Sequence, residues 1–210
     1  YADENDLAKI IFINKMDKDR ADFFRALGDI EKSFKVTPLP IYIPIGKESN
    51  FKGIINLVNM KAYIYPTEAS AQYVMQDIPA EYVDVASKYR GKLLEAVSET
   101  DDALIEKYLE GEELTEEEIE RGIREGTIRM KFVPVMCGSA TRNIGSKLLL
   151  AAIIKYLPSP MEREYKVAKD IETGAEFVAV PNEAEFSAFV FKTFIDPFAE
   201  TTTLSMLCSY

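Results

Sequence analysis

The segment "KIIFINKMDKDRADFF", residues 9–24, runs from an apolar stretch straight into a cluster of polar side chains. The residues at 8–13 predict a buried strand, because a short continuous apolar run is typical of a parallel sheet that is covered on both faces. Asn14, Lys15 and Asp17 follow at once, so an amide, an ammonium and a carboxylate stand together where the strand stops. This combination suggests a ligand-binding loop.

Composition limits the classes of protein to which the chain can belong. Its 210 residues suffice for one large domain or two small ones, and 47% hydrophobic residues are ordinary for a globular protein. The formal charge of −10 argues against direct nucleic-acid binding, which needs clustered Lys and Arg. No apolar run approaches the roughly 20 residues of a membrane helix, so we expect no membrane association. The sequence has no histidine, which removes His-based triads and His-ligated zinc from these residues.

The first half of the chain predicts helices separated by a stretch of strands and turns. Residues 21–34 predict a helix with one apolar face. The prolines within 38–44 stand among β-branched and aromatic residues, and since proline cannot donate to a ladder we expect edge strands and turns there. Helices return over 78–109, and Thr115 with Glu118 predicts a capping box at the start of another helix.

The second half begins with another strand and helix. "KFVPVMC", 131–137, predicts a second buried strand, and the residues from Ser146 predict a second buried helix that the prolines at 158–160 stop. Residues 161–185 are polar and predict an irregular linker. Two antiparallel strands around an Asp-Pro turn are predicted within 186–210. The order of elements predicts an α/β fold, an open parallel sheet with helices and an inserted subdomain, followed by the start of a β-barrel.

The sequence "CGSA", 137–140, ends the second buried strand as "NKMD" ends the first. Ligands of open α/β sheets bind at the carboxyl ends of the strands, so the two loops are expected to converge. A guanine base would suit them, because its N1–H and N2 amino group are parallel donors that the Asp17 carboxylate can accept. Adenine has no N1–H and would leave this carboxylate unpaired, at a cost of about 1–3 kcal/mol.

Each of the other polar residues has a possible role at such a base. The Lys15 methylenes can cover a base face while the ammonium stays in water, and Asn14 can tie the neighbouring loops together. The Ala140 amide could meet guanine O6, and Ser139 could hold Asp17 in position. Taken alone, each tetrapeptide also fits ordinary turn and N-cap chemistry, but their joint placement favours guanine recognition.

Long blocks of the sequence resemble bacterial translation elongation factor G, a family of ribosome-dependent GTPases. "FINKMDKDRADFFRAL" is similar to its guanine-recognition loop and following helix. "LPIYIPIGKESNFKGIINLVNMKAY" and "EKYLEGEELTEEEIERGIREG" are similar to its inserted subdomain. "PVMCGSATRNIGSKLLLAAIIKYLPSP" resembles the second guanine loop and last helix of the GTPase domain, and "FSAFVFKTFIDPFAETTTLSMLCSY" resembles the first hairpin of the following barrel.

The resemblance implies the carboxyl-terminal half of a P-loop-type GTPase domain, with an inserted α+β subdomain, followed by the first hairpin of a β-barrel domain. The implied divisions are GTPase domain 1–36, inserted subdomain 37–130, last strand and helix of the GTPase domain 131–160, linker 161–185, and truncated barrel domain 186–210. The linker, with "KDIETGAEFVAVPNEAEF", looks closer to elongation-factor-G-like paralogues than to the main translocase.

A phosphate loop, G-x-x-x-x-G-K-[ST], is missing from the sequence. Its two Gly-Lys pairs, at 46–47 and 91–92, lack the earlier glycine, since Ile41 and Ala86 stand there, and no Asp-x-x-Gly occurs. Phosphoryl transfer depends on the phosphate cradle and metal. We therefore expect a central fragment, without the amino-terminal half of the GTPase domain, that has no catalytic or metal residue, hydrolyses no GTP and binds nucleotide only feebly.

Residues 95–120 carry a large excess of acidic side chains. A solvated surface is the ordinary interpretation of such helices. In elongation factor G the inserted subdomain contacts the ribosomal stalk protein, so the resemblance implies docking on the helix at 79–98 and its acidic neighbours. It also implies GTP or GDP as ligand, Mg²⁺ in the full-length parent, the ribosome as partner with tRNA and mRNA engaged indirectly, and a cytoplasmic location.

Three functions are open from the sequence. The first is the central part of an elongation factor G that promotes translocation of tRNA and mRNA. The second is a paralogue that acts in ribosome recycling or protection. The third is a non-enzymatic module that binds the stalk and keeps a vestigial guanine pocket. A phosphate loop in the residues before Tyr1 would support either GTPase over the module.

Overall fold

The structure is a computed structural model that describes residues 2–66, 72–159, 162, 167–169, 172–178, 188–195 and 203–209. The chain forms two compact units, Tyr1–Leu157 and Pro158–Tyr210. The elements of the first unit are, in chain order, β1 (Ile11–Ile13), α1 (Phe23–Phe34), β2 (Pro38–Pro40), β3 (Tyr42–Ile45), a 3₁₀ turn (Glu48–Asn50), β4 (Gly53–Asn56), β5 (Lys61–Ile64), β6 (Val74–Gln76), α2 (Ala80–Ser98), α3 (Asp102–Glu110), α4 (Glu116–Ile128), β7 (Val133–Cys137) and α5 (Ser146–Tyr156).

A three-stranded parallel sheet in the order β1-β7-β2 holds the two predicted buried strands side by side. The central strand β7 is buried along its whole length. It contains Pro134, which cannot donate to a ladder. The pairing with β1 begins only at Ile11 opposite Val135, so Pro134 lies beyond the paired stretch on that side. The proline therefore removes no ladder hydrogen bond.

A four-stranded antiparallel sheet in the order β3-β4-β5-β6 follows directly from the parallel one. Ile41 joins the two sheets: its amide donates to the Val135 carbonyl at 3.0 Å, and its carbonyl accepts from the Leu57 amide at 3.1 Å. The prolines of β2 and β3 lie on edge strands of their sheets, as predicted. β2 pairs with β7 in the parallel sheet, although it falls within 37–130, the range predicted for the inserted subdomain. The domain boundaries stay a prediction.

The helices follow their local sequence signals closely. The capping box at α4 is present: the Thr115 hydroxyl accepts from the Glu118 amide at 3.2 Å, and the Glu118 carboxylate accepts from the Thr115 amide at 2.9 Å. α2 begins directly after Pro79, which occupies the N-cap. No helix in the described ranges is both long and apolar enough to cross a membrane.

The helix α5 is less buried than we predicted. Leu148, Ala152 and Tyr156 recur every four residues and face the unit, where α5 packs against α4. The opposite face is apolar but open, with Leu150 62% and Ile154 80% exposed. The expectation of a fully buried helix was wrong, because only one face of α5 finds a packing partner in this unit.

The second unit contains β8 (Val167–Lys169), β9 (Glu176–Val178), β10 (Ala188–Ile195) and β11 (Thr203–Ser209), which form two antiparallel pairs. The β10–β11 pair confirms the predicted hairpin strands, while its Asp-Pro turn lies outside the described residues. The pair β8–β9 contradicts the irregular structure that we predicted for the linker. Three-residue strands are too short to show as a pattern in a polar sequence.

Two helical glycines allow a matched test of this packing. A Cβ on Gly126 of α4 would lie 2.2 Å from Cζ of the buried Phe132 ring, whereas one on Gly91 of α2 would meet nothing within 4 Å. We expect Gly126→Ala to lower the free energy of unfolding by about 1–3 kcal/mol through overpacking. Gly91→Ala should raise it by about 0.5–1 kcal/mol through helix propensity. Urea unfolding measures both, and an equal response of the two variants would contradict the packing.

Candidate functional site

The loops after β1 and β7 lie against each other at the carboxyl ends of the parallel strands. The Gly138 amide donates to the Ile13 carbonyl at 3.1 Å, and the Met16 amide donates to the Gly138 carbonyl at 3.1 Å. Backbone hydrogen bonding thus continues from the ladder into both loops. We call residues 14–17 the first loop and residues 138–145 the second loop.

The side chain of Asn14 joins the two loops. Its Oδ1 accepts from the Lys15 amide at 2.8 Å and from the Ala140 amide at 3.0 Å, across 126 positions of sequence. The Ala140 amide, which we expected to meet guanine O6, is therefore engaged inside the protein. A contact with O6 would require this amide to be shared or to leave Asn14.

Lys15 and Met16 set the shape of the first loop. Lys15 has φ +62°, in the left-handed region that a residue with a Cβ rarely adopts, at a cost of order 1–3 kcal/mol. The Met16 side chain is 1% exposed and belongs to the core. Packing of Met16 in the core therefore anchors the loop between Lys15 and Asp17, a contact that the sequence analysis missed.

Asp17 is the most enclosed charge of the site, with its side chain 6% exposed. The nearby Ser139 hydroxyl, and then Lys18, hold the pKa of its carboxyl below the usual range, against the opposing effect of burial. The Lys18 ammonium lies 3.2 Å from Oδ2. Within the described part of the chain, Oδ1 is buried and accepts no hydrogen bond.

The second loop is closed on itself by a pair of backbone hydrogen bonds. The Ser139 amide donates to the Ile144 carbonyl at 2.9 Å, and the Ile144 amide donates to the Ser139 carbonyl at 3.0 Å. Gly138 is needed where the loop leaves β7, because a Cβ there would lie 2.3 Å from the Ile144 carbonyl oxygen. Ser139, 0% exposed, is thus fixed beside Asp17.

Tyr65 is a contact of the second loop that the sequence analysis did not identify. The Gly145 amide donates to its hydroxyl at 3.2 Å, across 80 positions of sequence. No spacing or motif marks this tyrosine among its aromatic neighbours after β5.

Other features of the described residues lie away from these loops. No group of three or more His, Cys, Asp or Glu side chains among them could hold a metal ion. A cavity of about 260 Å³ opens at the opposite, amino-terminal ends of the parallel strands, where Lys9, Lys35 and Lys131 contribute to its lining.

Comparison with known proteins assigns the family. The family model for the elongation factor Tu GTP binding domain matches residues 1–159, a range that includes both loops. The chain belongs to the elongation factor Tu GTP-binding domain family. It is also similar to a crystal structure of a protein from Thermus thermophilus, with 30% sequence identity and a TM-score of 0.75 over 99% of this chain. The chain spans 28% of the length of that protein.

Membership of the GTP-binding domain family confirms the predicted fold class, a parallel α/β sheet with helices and an antiparallel part. It also confirms the class of translational GTPase at the level of the family. The roles of the five predicted site residues stay predictions.

The depressed pKa of Asp17 in this GTP-binding domain gives a testable pH dependence. A carboxyl whose pKa is lower in the folded state contributes stability above its usual value of 3.8, and that contribution is lost as the pH falls through the folded pKa. Ser139→Ala and Lys18→Ala should each raise the Asp17 pKa toward the usual value. Carboxyl-carbon NMR titration measures each pKa. An unchanged Asp17 pKa in Ser139→Ala would contradict the part given to the Ser139 hydroxyl.

Proposed function

We propose that the chain is the central part of an elongation-factor-G-type translational GTPase and that its two loops bind the guanine base of GTP and GDP. One observation carries the proposal: Asp17 Oδ1 is buried and, among the described residues, without a hydrogen-bond donor. Leaving a buried acceptor unpaired costs about 1–3 kcal/mol. A guanine edge would remove that cost once the Asp17 side chain turns this oxygen toward the base, because its N1–H and N2 amino group can both donate to the carboxylate.

The neighbouring residues fit the same base. The strained, exposed Lys15 stands directly before the anchored Met16, where its methylene stem can cover one face of the purine. Asn14 and Ala140 meet at the junction of the two loops and can present an amide toward O6 or N7 if they share their present hydrogen bond. Ser139 lowers the pKa of the Asp17 carboxyl further below 3.8, so the group is fully charged at neutral pH. The charged form is the one that accepts from both guanine donors.

The proposed parent is a cytoplasmic factor that couples GTP hydrolysis on the ribosome to movement of tRNA and mRNA. A phosphate loop and its Mg²⁺ ligands do not occur in this sequence, so on this proposal the 210 residues recognise the base and hydrolyse no GTP. A paralogue that acts in ribosome recycling or protection would use the same two loops. Charge-assisted base recognition is common to both.

Exchanging the Asp17 carboxylate for an amide should change the preferred base. Asp17→Asn replaces an acceptor by a donor opposite position 2 of the purine, so we expect guanosine diphosphate to bind about tenfold more weakly. Xanthosine diphosphate, which has an oxygen at position 2, should bind more tightly to this variant than to the wild type. NMR titration at nucleotide concentrations of about 1 mM covers the expected weak affinities.

The control for this experiment is Asp19→Asn, which removes an exposed carboxylate two positions away. It should leave both affinities unchanged. Wild-type chain that responds equally to adenosine diphosphate, or Asp17→Asn that keeps the affinity for guanosine diphosphate, would contradict guanine recognition by Asp17.

We also propose that the acidic helices of the inserted subdomain dock the ribosomal stalk protein. α3 exposes an apolar group between carboxylates: Leu109 is 77% exposed, and Ile105 and Tyr108 are more than a third exposed. Glu106 and Glu110 are exposed on the same helix. An apolar centre with an acidic rim suits a partner that offers an apolar groove with basic residues around it.

Titration of the chain with isolated stalk protein tests the docking surface. Leu109→Asp should weaken binding about tenfold, the size expected when an apolar anchor is lost. The matched control is Leu150→Asp, which changes a similarly exposed leucine on α5 and should have no effect. Absence of binding at high micromolar concentration, or equal loss in both variants, would contradict the proposal.

A further inference from the structure

We propose that Tyr65 is a positioning residue for guanine recognition: its hydroxyl holds the Gly145 amide and thereby fixes where the second loop places Ser139 and Ala140. The inference deepens the proposed function and rests on it for the identity of the ligand. It assigns to the antiparallel sheet a part in the site, although that sheet contributes no residue to the predicted base contacts.

The contact at Gly145 is buried and specific. Gly145 is the N-cap of α5, and its amide is not part of the helical hydrogen bonding, so it needs an acceptor from elsewhere. The Tyr65 hydroxyl supplies this acceptor at 3.2 Å, in a buried position. Burial raises the pKa of the Tyr65 hydroxyl to about 12, against the opposing effect of the Gly145 amide, so the group is a neutral phenol at neutral pH.

Gly145 also packs closely against the antiparallel sheet. It has φ +84°, and a Cβ on it would lie 2.8 Å from the Cys137 carbonyl oxygen and 3.0 Å from Cδ1 of Ile54. Ile54 belongs to β4 and Tyr65 directly follows β5, so the sheet and the residue after it contact Gly145 through two side chains. The end of the second loop is therefore held between this sheet and the end of β7.

The restraint passes to the base-recognition residues through a short chain of bonds. Ile144, which precedes Gly145, exchanges two backbone hydrogen bonds with Ser139. Ser139 acts on the Asp17 carboxyl, and Ala140 donates to Asn14. Loss of the Tyr65 contact should loosen the loop at its far end and let Ser139 move relative to Asp17.

The variant Tyr65→Phe removes one oxygen and leaves the ring in place. The matched control is Tyr63→Phe, which removes a buried hydroxyl two residues earlier that accepts from Asn56 and Asn59 at 2.9 Å. Both variants lose a buried acceptor on β5 or directly after it, so they should lose similar global stability. Only Tyr65→Phe should affect the second loop.

Two NMR measurements on the 210-residue chain need no nucleotide. In Tyr65→Phe the amide exchange rate of Gly145 should rise about tenfold, as expected for a lost buried hydrogen bond. The Asp17 carboxyl pKa should move toward its usual value. Tyr63→Phe should change neither. Unchanged exchange and an unchanged Asp17 pKa in Tyr65→Phe, or equal changes in both variants, would overturn the inference.

A third measurement separates this inference from the proposed function. In the wild-type chain the Gly145 amide should exchange at least about tenfold more slowly than the Ser146 and Lys147 amides, which stand in the first turn of α5 and have no helical acceptor. Equal rates would overturn the inference even if Tyr65→Phe does not fold. If the wild-type chain binds guanosine diphosphate, and Tyr65→Phe weakens this binding about fivefold while Tyr63→Phe does not, the inference and the proposed function both stand. If neither the wild type nor the variants bind guanosine diphosphate, only the proposed function fails.

Discussion

The parallel pairing of β1 with β7 is the constraint on which the site depends. Its register places Ile13 opposite Cys137, so the two loops leave the sheet at the same point. Hydrogen bonds from Gly138 to Ile13 and from Met16 to Gly138 continue the pairing beyond the strands. The Asn14 side chain then closes the junction. A one-residue slip in this register would separate Asp17 from Ser139, because every later contact is built on the same alignment.

The site contains two locally unfavourable features. Lys15 has a left-handed backbone, and Asp17 leaves a buried oxygen without a donor in the described chain. Both are unfavourable for stability, of order 1–3 kcal/mol each. Such strain persists where packing over-determines the conformation, and here the buried Met16 and the closed second loop do so.

Much of this arrangement could be predicted from the sequence, because it follows local signals. The apolar runs before Asn14 and at 131–137 predicted the two strands. Because both were predicted as buried strands of one parallel sheet, the loops at their carboxyl ends were expected to meet. Contacts between residues far apart in the sequence could not be predicted. The Asn14 oxygen takes the Ala140 amide that we had assigned to the base. Tyr65 is one aromatic residue among several, and its partner lies 80 positions away. The short β8–β9 pair and the open face of α5 depend on neighbours that no local pattern specifies.

Guanine recognition by the buried carboxylate is the central claim, and an experimental structure of the chain with guanosine at saturating concentration tests it most directly. The account predicts N1 or N2 of the base within about 3.2 Å of Asp17 Oδ1, between the first and second loops. A base bound elsewhere, or one in this cleft that makes no hydrogen bond to that oxygen, would contradict it.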